Sequence, residues 1–89
     1  MTPYYALFYE KVPDYIEKRK VFRQEHLQLV TSFYKKGLLH MAGAFEDFDQ
    51  AALLIFTTET AVQNFVDKDP YVINKVILNY RIIIWNVVT

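Results

Sequence analysis

The hydrophobic positions of this chain alternate between two periods, and the alternation predicts the order of its elements. Tyr4-Tyr5-Ala6-Leu7-Phe8-Tyr9 is an aromatic, extended run that reads as a strand. Val12-Pro13-Asp14 breaks it, with Asp14 expected to cap a helix. From Tyr15 to Tyr34 the period becomes helical. Tyr15, Phe22, Leu29 and Phe33 fall on one line, flanked by Ile16, Val30 and Tyr34, while Glu17, Gln24, Gln28, Thr31 and Lys35 occupy the opposite face. Lys35-Lys36-Gly37 predicts the stop, with cations in the last turn and a glycine free to take the left-handed conformation. Leu38 to Phe45 and Ala51 to Phe56 read as a hairpin joined by the acidic turn Glu46-Asp47-Phe48-Asp49-Gln50. Thr57-Thr58-Glu59 opens a shorter helix whose buried stripe is Ala61, Val62, Phe65 and Val66. Asp69-Pro70 restarts the chain for one or two more helical turns, and Tyr80 to Val88 is the last strand.

The order β-α-β-β-α-β predicts an α+β, ferredoxin-like fold: a four-stranded antiparallel sheet with two helices on one face, in one domain spanning residues 1–89. The uncovered face of such a sheet would ordinarily alternate apolar with polar. Here it does not. In the last strand Tyr80, Ile82 and Ile84 lie on one side and Ile83, Trp85 and Val87 on the other; Ala51 to Phe56 has no polar member at all. A patch of that size exceeds what a soluble monomer exposes, so a homodimer packed sheet to sheet is expected.

Composition narrows the function classes. The chain is 53% apolar, with two Gly and three Pro, so a core is affordable and loops are short. Ten basic residues balance ten acidic ones, which supplies no field to steer nucleic acid or an anionic membrane. Aromatic strands would suit base stacking on a sheet surface, but neutral charge argues against it. The absence of Cys excludes disulfides, thiolate metal sites and a Cys nucleophile. With strand-like sequence within three residues of Met1 and no apolar stretch of spanning length, a cytoplasmic protein is expected. No ligand spacing for a metal and no Gly-rich phosphate loop are found, so neither metal nor cofactor is expected.

Candidate chemistry begins in the long helix. Arg19, Arg23, His26 and Val30 form one line, three and four residues apart, beside the apolar face. On spacing alone His26 reads most simply as a half-buried histidine satisfied by a neighbouring carbonyl or carboxylate, with the arginines snorkelling at the stripe's edge. The functional reading is an imidazole facing a pocket, where its near-neutral pKa suits proton transfer. Asp69 reads as a helix cap with one oxygen to spare for orienting a histidine. His40 reads as a core or edge histidine sharing a face with Leu38 and Ala42.

Arg23-Gln24-Glu25-His26-Leu27, Gly37-Leu38-Leu39, Ala42-Gly43-Ala44-Phe45 and Asp69-Pro70-Tyr71-Val72, in that order, resemble the YciI-like (YCII-related) family along nearly the whole chain. The resemblance implies a dimeric α+β barrel and a His/Asp active-site pair facing a cleft, here His26 and Asp69. It also implies cofactor-independent acid–base chemistry, an elimination or isomerisation of a cyclic or aromatic compound, since one branch of the family resembles a dehydrochlorinase. Arg23 would then bind an anionic group or anchor the Asp69 loop, and Tyr5 would donate a hydroxyl to the pocket. The alternative is a non-catalytic dimeric protein that binds a small ligand or serves as an accessory. Two departures stand out: Gly43-Ala44 where the family has Gly-Pro, and Lys75 where it commonly has Gly.

Overall fold

A computed structural model describes residues 1–46 and 50–89. The elements run β1 (Thr2–Lys11), α1 (Tyr15–Arg19), α2 (Arg23–Lys35), β2 (Leu39–Ala44), β3 (Gln50–Phe56), α3 (Glu59–Lys68), α4 (Pro70–Ile73) and β4 (Ile77–Val87). The sheet has the order β2-β3-β1-β4 with every neighbour antiparallel, as the ferredoxin-like reading requires. The acidic turn expected between β2 and β3 falls largely on residues 47–49, outside the described residues.

Period-two alternation sorts β1 cleanly. Tyr5, Leu7 and Tyr9 pair in register with Phe56, Leu54 and Ala52 on β3 and with Ile84, Ile82 and Tyr80 on β4. The middle of this set faces the helices, while Ile84 and Tyr80 stay exposed. Leu7, Tyr9, Leu54 and Phe56 are buried there against Val62 and Phe65 of α3 and Phe33 of α2. Phe33, Phe56 and Phe65 meet edge-on or tilted, with ring centroids 5.1–6.2 Å apart, the geometry that ring quadrupoles favour. Each fully buried side chain of this kind contributes about 1.5–3 kcal/mol. The opposite face carries Ala6, Phe8, Leu53, Ile55, Ile83 and Trp85 around an apolar groove of about 250 Å³. Ile83 and Trp85 remain 44% and 51% exposed.

Local signals act as expected at several ends. The Thr58 hydroxyl accepts from Ala61 N at 3.0 Å and caps α3. Helices α2 and α4 close with the same pair of backbone bonds. Leu38 N donates to Phe33 O and Gly37 N to Tyr34 O; Val76 N donates to Tyr71 O and Lys75 N to Val72 O. That closure needs a left-handed residue, supplied by Gly37 at φ 74° and by Lys75 at φ 55°. Lys75 thus occupies a conformation that L-residues rarely adopt and that a glycine would take without steric cost.

Three expectations are corrected. The helix expected to run unbroken from Tyr15 to Tyr34 is two helices, because bonds of 3₁₀ spacing, Lys20 N to Glu17 O and Phe22 N to Arg19 O, tighten the chain between them. Tyr15 thereby reaches Tyr71 while Phe33 enters the core. Asp14 does not cap α1 with its side chain; it sits at φ 63° and only its carbonyl accepts from Lys18 N. His40 does not share the face of Ala42. The register of β2 shifts between Leu39, opposite Phe56, and Met41, opposite Ile55, and this bulge leaves His40 exposed against the Tyr4 ring at 5.3 Å.

Candidate active site

The site is built around the junction of α3 and α4. Pro70 lacks an N–H and disfavours helical backbone in the residue before it, so α3 ends and Asp69 is extended at φ −69°, ψ 119°. Asp69 closes α3, its N–H donating to Phe65 O, and its carboxylate turns inward as the cap of α4. It is fully buried, at 0% exposure.

Three donors meet that carboxylate. Tyr9 Oη donates to Oδ2 at 2.6 Å, Tyr71 N donates to Oδ1 at 3.1 Å, and His26 Nδ1 lies 2.8 Å from Oδ1. A carboxylate in so buried a position is tolerated only with such compensation, and an ionised one only accepts. The imidazole proton therefore belongs on Nδ1, which leaves the lone pair on Nε2. His26 is 9% exposed. Its ring stacks on that of Tyr71 at 3.8 Å with 2° between planes and meets Phe65 edge-on. Packing and hydrogen bonding together fix the imidazole plane.

His26 lines a cleft of about 300 Å³, and Asp69 lies buried behind it. Arg19, Arg23, His26 and Tyr71 form its polar wall, and Ala42, Ala44 and Leu54 form part of the apolar one. The line of Arg19, Arg23, His26 and Val30 thus stays together on the cleft in spite of the helix break. Arg19 lies over the Tyr15 ring, 5.2 Å from its centroid. Arg23 stands in the first turn of α2, exposed and with no carboxylate partner among the described residues.

Two tyrosines in this neighbourhood are perturbed. Burial, then the charge of Asp69 and the hydrogen bond to it, push the Tyr9 phenol well above the ordinary tyrosine range. Burial, with Tyr15 adding, also raises Tyr71. The Arg23 guanidinium, by its charge and by donating towards the hydroxyl, and the Arg19 charge pull the other way.

His26 and Asp69, expected to meet, are in direct contact although 43 residues apart in sequence. Arg23 lies on the same cleft. Tyr5 does not line it. Tyr5 pairs with Phe56 and Ile84 and packs half-buried against the core, two repeats of the strand alternation from Tyr9. Tyr9, which shares its face of β1, donates to the Asp69 carboxylate behind the cleft, a role the sequence reading missed. The available signal was modest: a tyrosine rather than phenylalanine at a core position of a strand usually has a partner for its hydroxyl.

The YCII-related domain family matches residues 3–86. No curated protein matches the chain. Among solved structures, the chain resembles a 5-chloro-2-hydroxyhydroquinone dehydrochlorinase from Burkholderia phenoliruptrix AC1100, in complex with 2,5-dihydroxybenzoquinone. The TM-score is 0.76 over 93% of each chain, at 17% identity. At that identity the likeness is one of fold.

Proposed function

The chain belongs to the YCII-related domain family, and from that premise we propose that it is a small-molecule enzyme using His26 and Asp69 for acid–base chemistry on a cyclic or aromatic compound. The observation that carries this reading is the 2.8 Å contact of His26 Nδ1 with a buried carboxylate, beside a cleft that His26 lines. Nε2 takes a proton from a carbon or hydroxyl made acidic by a neighbouring carbonyl. Asp69 holds the tautomer and stabilises the imidazolium that forms. In an elimination, a leaving group departs with its electron pair as the proton passes to Nε2; in an isomerisation, the imidazolium returns the proton to another atom of the same ring. Arg23 binds a negatively charged group of the substrate. The dehydrochlorinase of like fold makes a chlorinated hydroxyquinol the first compound to try.

The test is chloride release and quinone absorbance on 5-chloro-2-hydroxyhydroquinone and related hydroxylated rings. Turnover should fall at least 100-fold in His26→Gln, the usual scale for a lost general base. In Asp69→Asn, ¹⁵N shifts should show the imidazole losing its Nδ1–H preference. Turnover that survives His26→Gln within a few-fold refutes the assignment. One observation favours a second reading, a ligand-binding protein without catalysis: Asp69 also caps α4 and closes α3, so it serves the fold as well. That reading predicts ligand binding by a wild-type protein that turns over none of these compounds.

We propose further that residues 1–89 act as a homodimer through the uncovered sheet face. The exposed Ile83 and Trp85 beside Phe8 and Ile55 support this, and Ala42 to Ala44 border both the cleft and a groove on that side of β2. Light scattering that gives a monomer mass at micromolar concentration would refute it.

A further inference from the structure

We propose that a second cleft, bordered by α1, the end of α4 and the start of β4, binds a small amphiphilic carboxylate, its apolar body on the strand and its anionic head held by Lys18 and Lys75. The proposal is independent of the acid–base reading, because among the described residues none lines both this cleft and that of His26.

The two clefts share helices but not side chains. In α1, Tyr15 and Arg19 line the cleft of His26 and Lys18 lines the second one; past Pro70, Tyr71 lines the first, and Val72 and Lys75 line the second. Val12, Val72, Ile77 and Leu78 give the second cleft an apolar lining, and its volume is about 470 Å³. Small-molecule sites usually hold about 300–1,000 Å³ and combine such a lining with a few polar groups.

Lys75 is the residue that marks this cleft as a site. It stands at φ 55°, in the left-handed conformation that the closure of α4 imposes, with Val76 N donating to Tyr71 O and Lys75 N to Val72 O. A glycine takes that conformation without steric cost, and a lysine does not. Backbone outliers of this kind cluster where a side chain is needed for binding, so the strain asks what the lysine holds. It holds nothing within the protein. The ion pairs among the described residues are Lys20 with Glu17 and His26 with Asp69, so Lys75 and Lys18, both exposed, have no carboxylate. One anionic group answers the two cations, and hydrogen bonds to an ionised oxygen are the strong ones. The apolar lining sets the rest of the occupant. A compact, strongly hydrated anion would leave Val72, Ile77 and Leu78 unused, whereas an alkyl or single-ring body removes them from water.

The experiment titrates the protein with octanoate and with 1-octanol, equal in chain length and different in charge. Backbone amide, His26 imidazole and Trp85 indole NMR signals report where each binds. In wild type, octanoate should shift the amides of Val72, Lys75, Leu78 and Tyr80 to saturation and bind more tightly than octanol. Lys75→Gly should weaken octanoate about fivefold, the upper end for an exposed ion pair, and leave octanol unchanged. The same variant should melt no lower than wild type, because the strain goes with the side chain. Lys18→Gln, on a separate helix with no left-handed backbone to relieve, should weaken octanoate by a similar factor. Equal affinity of wild type for the two probes would overturn the proposal. So would octanoate affinity within about twofold of wild type in both variants. Saturation at the His26 imidazole or the Trp85 indole, with the amides of Val72 to Tyr80 unmoved, would place the binding elsewhere and overturn it as well.

Discussion

Tyr9→Phe isolates a single hydrogen bond inside the site. The substitution removes one oxygen and keeps the ring, which is 1% exposed and packed in the core, so no large cavity opens. What disappears is the 2.6 Å donation to Asp69 Oδ2, leaving a fully buried carboxylate with His26 and Tyr71 N as its donors. A hydrogen bond to a buried charge is worth about 1.5–3 kcal/mol. For a chain of 89 residues the whole folding free energy is roughly 4–13 kcal/mol, so a loss of about 2 kcal/mol is a large share and lowers Tm by roughly 8–16 °C. Urea denaturation at a fixed protein concentration measures the difference. Its pH dependence supplies an internal control. Folding raises the Tyr9 pKa, so the native state keeps this proton where the unfolded chain, with an ordinary tyrosine pKa near 10, loses it. The stability that Tyr9 contributes is complete below about pH 10 and declines above it by about 1.4 kcal/mol per pH unit, a decline that Tyr9→Phe lacks. The gap between the two proteins should be flat to about pH 9.5 and close near pH 11.5. A gap under about 0.5 kcal/mol at pH 7, or one that does not narrow in alkali, refutes the Tyr9–Asp69 bond as the anchor of the site.

Two further outcomes test other parts of the structure. At Lys75, held at φ 55°, Lys75→Gly should leave stability unchanged or raise it by up to about 1 kcal/mol, and Lys75→Val should lower it by about 1 kcal/mol or more, both measured by denaturant midpoint. On the uncovered face, Ile83→Asp places a charge among Ala6, Phe8, Ile55 and Trp85; it should convert a dimer to a monomer in sedimentation while near-ultraviolet circular dichroism keeps the native tertiary signal. A dimer that persists would move the interface elsewhere.

The sequence alone determined those features whose cause is local. Alternation over Tyr5, Leu7 and Tyr9 assigned the faces of β1, the stripe Ala61, Val62, Phe65 and Val66 assigned the buried side of α3, and Gly37, Thr58 and Pro70 marked ends because backbone sterics and capping act within a few residues. The apolar character of both sheet faces was legible for the same reason. His26 and Asp69 could be named from their motifs, but their contact could not be derived from spacing, since it depends on how α2 packs against the α3–α4 junction. Only the tertiary structure brought Tyr9 to the site. Tyr5 and Tyr9 occupy the same face of one strand, and Tyr9 is the one that reaches the carboxylate turned inward before Pro70. The bulge that turns out His40 is likewise settled by strand pairing and not by the residue's immediate neighbours. A residue's own neighbours in sequence set its conformation; its partners across the fold set its chemistry.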